Sequence, residues 1–428
     1  MSLRRFTATP LFDAHKAFTR AASGFAMLED YPDTRAFITS IKDRGINADA
    51  DYLQAQAFLK SYSRKSEGTY TSFRNEVERF LIWSWLIEEK SIDQLRRSDI
   101  ERFFDFLNKP PKPWISKGIY ARFIISEGLY RQNPQWRPFS VRATKADTLK
   151  AKEQGVDAPL DLSMHSLSQS AWSLSYSTLS IFFDYMAQED YVLGNPIKGI
   201  RKNSPFIIKQ SSQSAESHRL SDLQWEYVLE STTELAGDDS LHERTLFVVA
   251  CMKSLYLRIS ELSDRDSWKP AWEHFYKDSD GNWWLTVLGK GKKQRDISVP
   301  PALLHYVKRY RLYCNLDPLP VSGDKHPIVK SQRRAVGLTS RQLRRVVQDA
   351  FDNAYHKMVD DGRQEDAKTL RSATSHYLRH TGASHDIQTR PIKHMSDDLG
   401  HATMGTTDKI YINSDRKARA HSGRKRKV

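Results

Sequence analysis

Long apolar runs are absent from this chain: no stretch of about eighteen apolar residues occurs, which excludes a helical membrane span. Cysteine is nearly absent too. Cys251 and Cys314 stand alone, in neither a C-x-x-C nor a zinc-type spacing, so a disulfide framework and a cysteine-based metal knuckle are excluded and a reducing compartment is expected. The opening Met1-Ser2-Leu3-Arg4-Arg5-Phe6 has no apolar signal core, and the expected location is the cytoplasm with access to the nucleoid. Acidic side chains are in deficit, 52 Asp and Glu against 66 Lys and Arg, giving a formal charge of +14. Such a balance suits a polyphosphate partner, although a merely basic soluble protein shares it. The remainder is globular in composition, 39% hydrophobic and 28% charged over 428 residues, with room for two or three cores.

Periodicity divides the chain. Residues 1–50 are mixed in charge and weakly periodic, and read as an N-terminal extension with one or two short helices. Tyr70, Phe73, Val77, Phe80 and Leu81 recur at three- and four-residue steps, predicting an amphipathic helix that runs on into Trp83, Trp85 and Leu86. Ser98 with Glu101 three residues later reads as the capping box of the next helix. The Pro110-Pro111-Lys112-Pro113 break opens a polar, elaborated region over 110–163. Helical spacing returns from Leu174 to Met186 and is expected to end by Asn195-Pro196, followed by an exposed basic linker from Lys198 to Pro205 and on through Gln210 to Ser214. A second, mostly helical domain starts at Ser221, a candidate N-cap. Inside it, Trp283 to Leu288, a Gly-Lys-Gly turn and Asp296 to Pro300 predict a β-hairpin. The expected fold class is mainly α with a small β-sheet in the C-terminal domain. The expected layout is an extension at 1–50, a helical domain at 51–209 with its elaborated 110–163 region, a second domain at 210–413 and a basic tail at 414–428.

One constellation carries chemistry. Residues 371–413 place His376, Arg379, His401 and Tyr411 within about forty positions, and Arg258 and Lys290 lie upstream. Breaking a DNA strand without water needs a side-chain nucleophile; tyrosine, serine or histidine can serve, and Tyr411 is the candidate by position. A phenol titrates near pH 10, so it requires a base or a cationic setting. The phosphorane develops charge on two non-bridging oxygens, which planar guanidinium forks fit best, and Arg258 and Arg379 can supply them. Glu261, three residues after Arg258, can hold its guanidinium. The departing 5′ oxygen needs a proton, for which Lys290 at the hairpin tip is the choice, with Lys292 and Lys293 as competitors. His376 and His401 are candidates for proton transfer or for donating to the phosphate. A weaker alternative takes His376, His380 and His401 as metal ligands; no paired acids accompany them, and no metal or other cofactor is expected. Lys292, Lys293, Arg295, Lys198, Arg201 and Lys202 are expected to contact DNA.

Taken together, Leu257-Arg258-Ile259-Ser260-Glu261-Leu262, Gly289-Lys290-Gly291, His376-Tyr377-Leu378-Arg379-His380-Thr381, Leu399-Gly400-His401 and Tyr411 resemble, in order, the signature of the tyrosine recombinase (phage integrase) family. The resemblance spans the catalytic half; the helical segments Tyr70 to Trp85 and Leu179 to Pro196 resemble the family's core-binding domain more loosely. It implies a two-domain clamp on double-stranded DNA, a covalent 3′-phosphotyrosyl intermediate, a Holliday junction, and a homo-tetramer on paired recombination sites, with an accessory or partner recombinase conceivable. Under it Tyr411 attacks, Arg258 and Arg379 stabilise the transition state, Lys290 is the general acid, His376 the base and His401 a donor to phosphate. Integration or excision of a mobile element is the implied use. Three departures stand out: Tyr256 occupies a position where the family usually has Gly, expected to affect packing behind Arg258; ten residues separate His401 from Tyr411, one more than usual; and the extension before residue 51 with the 110–163 region enlarges the DNA-binding half, which points to an unusual site or an accessory contact. Two other readings remain, a type IB topoisomerase-like enzyme and a catalytically silent DNA-binding regulator.

Overall fold

A computed structural model of the protein describes residues 7–21, 24–64, 66–158, 160–207, 218–332, 334–387 and 389–400. The chain separates into two compact units, Met1–Lys209 and Gln210–Val428. Among the described residues no helix is long and apolar enough to cross a membrane.

The N-terminal unit holds helices α1 (His15–Arg20), α2 (Pro32–Lys42), α3 (Ala48–Ser63), α4 (Glu67–Trp83), α5 (Arg97–Asn108), α6 (Lys145–Glu153), α7 (Gln169–Gln188) and α8 (Ile197–Lys202). Ser66 caps α4 by accepting from the Thr69 N–H at 3.1 Å, and the predicted apolar stripe faces a core of Phe58, Phe80, Phe103 and Phe182. At its C-terminal end α4 passes into a π-turn at Ser84–Glu88. That turn changes the angular step along the helix, and both Trp83 and Trp85, two residues apart, are buried. The Trp85 indole then donates to the buried Asp51 at 2.7 Å.

Several expectations for this unit need correction. The first fifty residues are no appendage: Leu11, Phe12, Phe18 and Tyr31 lie in the same core, and the Leu11 and Phe12 N–H groups donate to the buried Glu78 at 2.8 and 3.2 Å. The helices of this segment before α3 are short, α1 with six residues and α2 with eleven, which leaves little period to detect. Residues 110–163 are structured as well, with a parallel pair β1 (Ile115–Ser116) and β4 (Phe139–Ser140) and an antiparallel pair β2 (Phe123–Ser126) and β3 (Leu129–Gln132). Trp114, Trp136 and Phe139 are buried there. Ser98 is not a cap. Helix α5 begins at Arg97, and Asp99 is the first-turn carboxylate that accepts from the Arg96 N–H at 2.6 Å. Helix α7 stops at Gln188, before the Asn-Pro pair, and Pro196 starts α8, with Ile197 and Ile200 buried. A proline at the head of a helix sacrifices no helical hydrogen bond, so the basic segment expected as linker is helical as far as Lys202.

In the C-terminal unit, α9 (Asp222–Asp238) opens on a reciprocal cap: Ser221 Oγ accepts from the Gln224 N–H, and Gln224 Oε1 accepts from the Ser221 N–H. Helices α10 (Glu243–Ser254), α11 (Ile259–Leu262), α12 (Pro301–Tyr313), α13 (Ser340–Asp360), α14 (Gln364–Ser372), α15 (Ser375–Asp386) and α16 (Ile392–Leu399) follow, with an antiparallel sheet β5 (Phe275–Lys277), β6 (Trp283–Leu288) and β7 (Gln294–Ser298) between α11 and α12. The predicted hairpin is β6–β7, in the register Leu285 to Ile297 and Val287 to Arg295.

Helix α10 is buried from Thr245 to Met252 and acts as the post against which α15 lies. The two approach so closely that a Cβ on Gly382 would sit 2.0 Å from the Lys253 carbonyl oxygen. This crossing brings the chain after α10, which carries Tyr256 and Arg258, beside Arg379 on α15. Gly382→Ala should therefore weaken the C-terminal unit by roughly 1–3 kcal/mol through overpacking, read as a lower urea midpoint; an unchanged midpoint would show that the crossing has slack.

Candidate active site

Arg258 stands immediately before α11, a helix of one turn. Its backbone N–H donates to Glu261 Oε2 at 2.8 Å and its Nη1 to Oε1 at 3.0 Å, while a quarter of the side chain, 25%, remains exposed. Glu261 is fully buried, and a buried carboxylate persists only if its lone pairs are filled. The second cation comes from β7: Arg295 Nη1 and Nη2 donate to Oε1 and Oε2 at 2.7 and 3.1 Å. Burial pushes the Glu261 carboxyl up, but the Arg295 hydrogen bond and charge, the Arg258 N–H and the charge of Arg379 together hold it below the usual range. The remaining Arg295 donor, Nε, reaches the Asp398 carbonyl on α16 at 2.8 Å. Gly400, which ends α16 at φ 62°, leaves room for this side chain, since a Cβ there would lie 2.9 Å from Arg295 Cδ.

Arg295 was expected to contact DNA. Instead its donors are committed inside the protein, bridging the Glu261 carboxylate to α16. The signal was present in the strand period: Arg295 is two residues from buried Ile297 and so shares its inward face.

Arg379 is 3% exposed and is gripped by backbone carbonyls, Nη1 to Tyr256 O at 2.5 Å and Nη2 to Leu399 O at 2.6 Å. Tyr256 presents its carbonyl from a left-handed conformation, φ 50°, which costs a residue with a side chain roughly 1–2 kcal/mol. A glycine would adopt that φ without strain; the tyrosine instead packs its ring against Ala383, Met395 and Leu399. His376, one turn before Arg379, is exposed at its edge. Desolvation, then the charges of Arg379, Arg258 and Arg344, hold its imidazole below the ordinary value. The sequence reading had no role for Arg344, which lies on α13; only folding brings it into range.

The turn between β6 and β7 is closed by the Gly289 N–H donating to the Lys293 carbonyl at 2.8 Å, with Gly291 at φ 75° and Lys292 at φ 59°. Lys290 is in this turn, and its side chain lies outside the described residues, as do His401 and Tyr411. Lys292 and Lys293 are exposed. In the N-terminal unit Lys198, Arg201 and Lys202 are exposed along α8, where Lys198 pairs with Asp184 at 3.0 Å and Arg201 donates to Ser177 at 3.1 Å.

The C-terminal unit is thus helical with a three-stranded sheet, and in it two arginines and a histidine converge around one buried carboxylate. Residues 224–418 match the phage integrase family. Over 181 residues the chain is 28% identical to the tyrosine recombinase XerC of Neisseria meningitidis serogroup B, 42% of this chain and 50% of that one; it therefore spans about half the length of this relative. Over 329 residues it is 20% identical to XerC of Escherichia coli, covering 74% and 92% of the two chains. A XerH site-specific recombinase bound to a palindromic difH substrate in a post-cleavage complex matches across 97% of both chains at 13% identity, with a TM-score of 0.50, which supports a shared fold. The C-terminal unit thus carries, over residues 224–418, a region similar to the phage integrase family, and the relatives it resembles are tyrosine recombinases.

Because its native pKa is lowered, Glu261 contributes stability that is present above the ordinary glutamate value, about 4.3, and lost as pH falls through the native one. Glu261→Gln should cost on the order of 3 kcal/mol at pH 7, since two partly buried guanidiniums lose their buried counter-charge. It should also flatten the stability profile between about pH 5 and 3. Urea unfolding across that range tests both; a variant as stable as wild type at pH 7 would contradict this account of Glu261.

Proposed function

We propose that the chain is a site-specific DNA recombinase that cleaves and rejoins strands through a 3′-phosphotyrosyl intermediate and a Holliday junction, in the integration or excision of a mobile element. The observation that carries this reading is the convergence of Arg258 and Arg379 beside His376, with both guanidiniums oriented by protein groups and the imidazole held neutral at pH 7. Two fixed cations next to a neutral base suit a phosphodiester, whose transition state gains charge on the non-bridging oxygens.

In the proposed step the Tyr411 oxygen attacks phosphorus, its proton passes to His376, and the bond from phosphorus to the 5′ oxygen breaks. Lys290 protonates that departing oxygen. Arg258 and Arg379 neutralise the phosphorane, and His401 donates to a non-bridging oxygen. A 5′ hydroxyl of the partner strand then reverses the sequence and releases Tyr411, so one phosphodiester is exchanged for another with no net hydrolysis. Lys292 and Lys293, together with Lys198, Arg201 and Lys202, are assigned to backbone phosphates, which fix position rather than sequence. The working form is a homo-tetramer on two double-stranded sites, in the cytoplasm at the nucleoid.

A nicked duplex carrying the junction of the element that encodes the chain should trap a covalent complex with wild type and none with Tyr411→Phe, while both bind the DNA. Equal trapping by the two would remove Tyr411 as nucleophile. No trapping despite binding would favour a DNA-binding regulator. The pH dependence adds a check on the base. With its pKa lowered, His376 stays unprotonated to a pH below the ordinary histidine value of about 6.5, so the acid limb of single-turnover cleavage should lie below that value and move or vanish in His376→Asn. A limb at or above the ordinary value would contradict the assignment.

A further inference from the structure

Arg379 lies within a closed ring of contacts that the assigned roles leave unused. Its Nη1 is bound by the Tyr256 carbonyl and its Nη2 by the Leu399 carbonyl, at 2.5 and 2.6 Å. These two residues are joined a second time through side chains. The Tyr256 hydroxyl donates to Asp386 at the end of α15 and accepts from Arg390 Nη1 at 3.0 Å. Arg390 Nη2 in turn binds Asp398 Oδ2 at 2.7 Å, and Asp398 is the residue before Leu399. Ser298 on β7 donates to the same Asp398 oxygen at 3.0 Å. The Tyr256 ring meanwhile forms a small core with Ala383, Met395 and Leu399, fastening α16 to α15. One side chain thus places both carbonyls that orient Arg379, its own through the left-handed backbone and that of Leu399 through α16.

We propose that Tyr256 is a positioning residue for Arg379, acting through its hydroxyl and Arg390 to lock the two carbonyls in register; this rests on Arg379 acting on the scissile phosphate as assigned above. A glycine here would relieve the backbone strain but could make none of these side-chain contacts. Burial and Asp386 push the phenol far above its ordinary value, so the hydroxyl remains a donor throughout the neutral range. Arg390 stacks near the Tyr256 ring, 5.9 Å from its centroid, and closes the ring from the far side. Because the chain continues from Leu399 through Gly400 directly to His401, the same lock sets the point from which the remaining site residues depart.

Two readouts test this on the full-length protein. The first is independent of cleavage: 15N spectra of the arginine guanidiniums, with the Arg379 signal assigned by its loss in Arg379→Met, report how slowly its Nη protons exchange. Tyr256→Phe, which keeps the ring, and Arg390→Met should each speed that exchange by about tenfold or more, whereas Asp386→Asn, whose amide oxygen still accepts from the hydroxyl, should leave it near wild type. The second is single-turnover cleavage of the nicked junction duplex, where Tyr256→Phe should lose about 10- to 100-fold in rate, as expected for a small misplacement of a catalytic group, with DNA affinity within about twofold of wild type. Unchanged exchange in Tyr256→Phe overturns the proposal, as does faster exchange with an unchanged cleavage rate. Wild type that binds the duplex and never cleaves overturns the recombinase reading instead, and with it the catalytic meaning of the lock, while the exchange data still report whether the lock exists.

Discussion

Much of the C-terminal site is arranged around one buried carboxylate. Glu261 has no exposure, and the cost of desolvating a carboxylate forces the fold to bring cations to it. Arg258 comes from the adjoining turn of chain and Arg295 from the sheet, so the short helix α11 and strand β7 cannot shift independently. Arg295 carries the constraint on to α16 through the Asp398 carbonyl. One carboxylate therefore ties three elements together, and an arginine facing the surface inherits the rigidity of a core.

Arg379 is held differently. Its Nη1 and Nη2 are met by the Tyr256 and Leu399 carbonyls, which orient the guanidinium, while Glu261 is shared by Arg258 and Arg295. Desolvation first, and then the charges of Arg379, Arg258 and Arg344, lower the proton affinity of His376, and the same charges would attract a phosphodiester. Orientation and charge are supplied by separate partners, which is what preorganisation for a developing anion requires.

Much of this was legible from local chemistry, and the failures have physical causes. The stripe from Tyr70 to Leu81, the Ser221 cap and the β6–β7 hairpin are written in spacing over a few residues, which a sequence exposes directly. Glu261 was placed beside Arg258 because three residues span one helical turn. Arg295 was misjudged because a basic residue near a Gly-Lys-Gly turn reads as surface, although its alternation with Ile297 pointed inward. The first fifty residues and the 110–163 region were underestimated because their buried aromatics are spread over loops, single helical turns and short strands. Tyr256 was noticed only as a departure from glycine; its meaning depends on Arg390 and Asp398, more than 130 positions away in the chain, and no local pattern carries that.

The central claim is that Glu261 and Arg295 act as one unit in presenting Arg258. A double-mutant cycle with Glu261→Gln and Arg295→Met, read in single-turnover strand cleavage, tests it most directly. The account predicts strong non-additivity, the double variant losing little more than the worse single one, with a coupling at the upper end of about 0.5–3 kcal/mol. Losses that simply add would show that the two side chains serve the site independently, and the hub described here would be wrong.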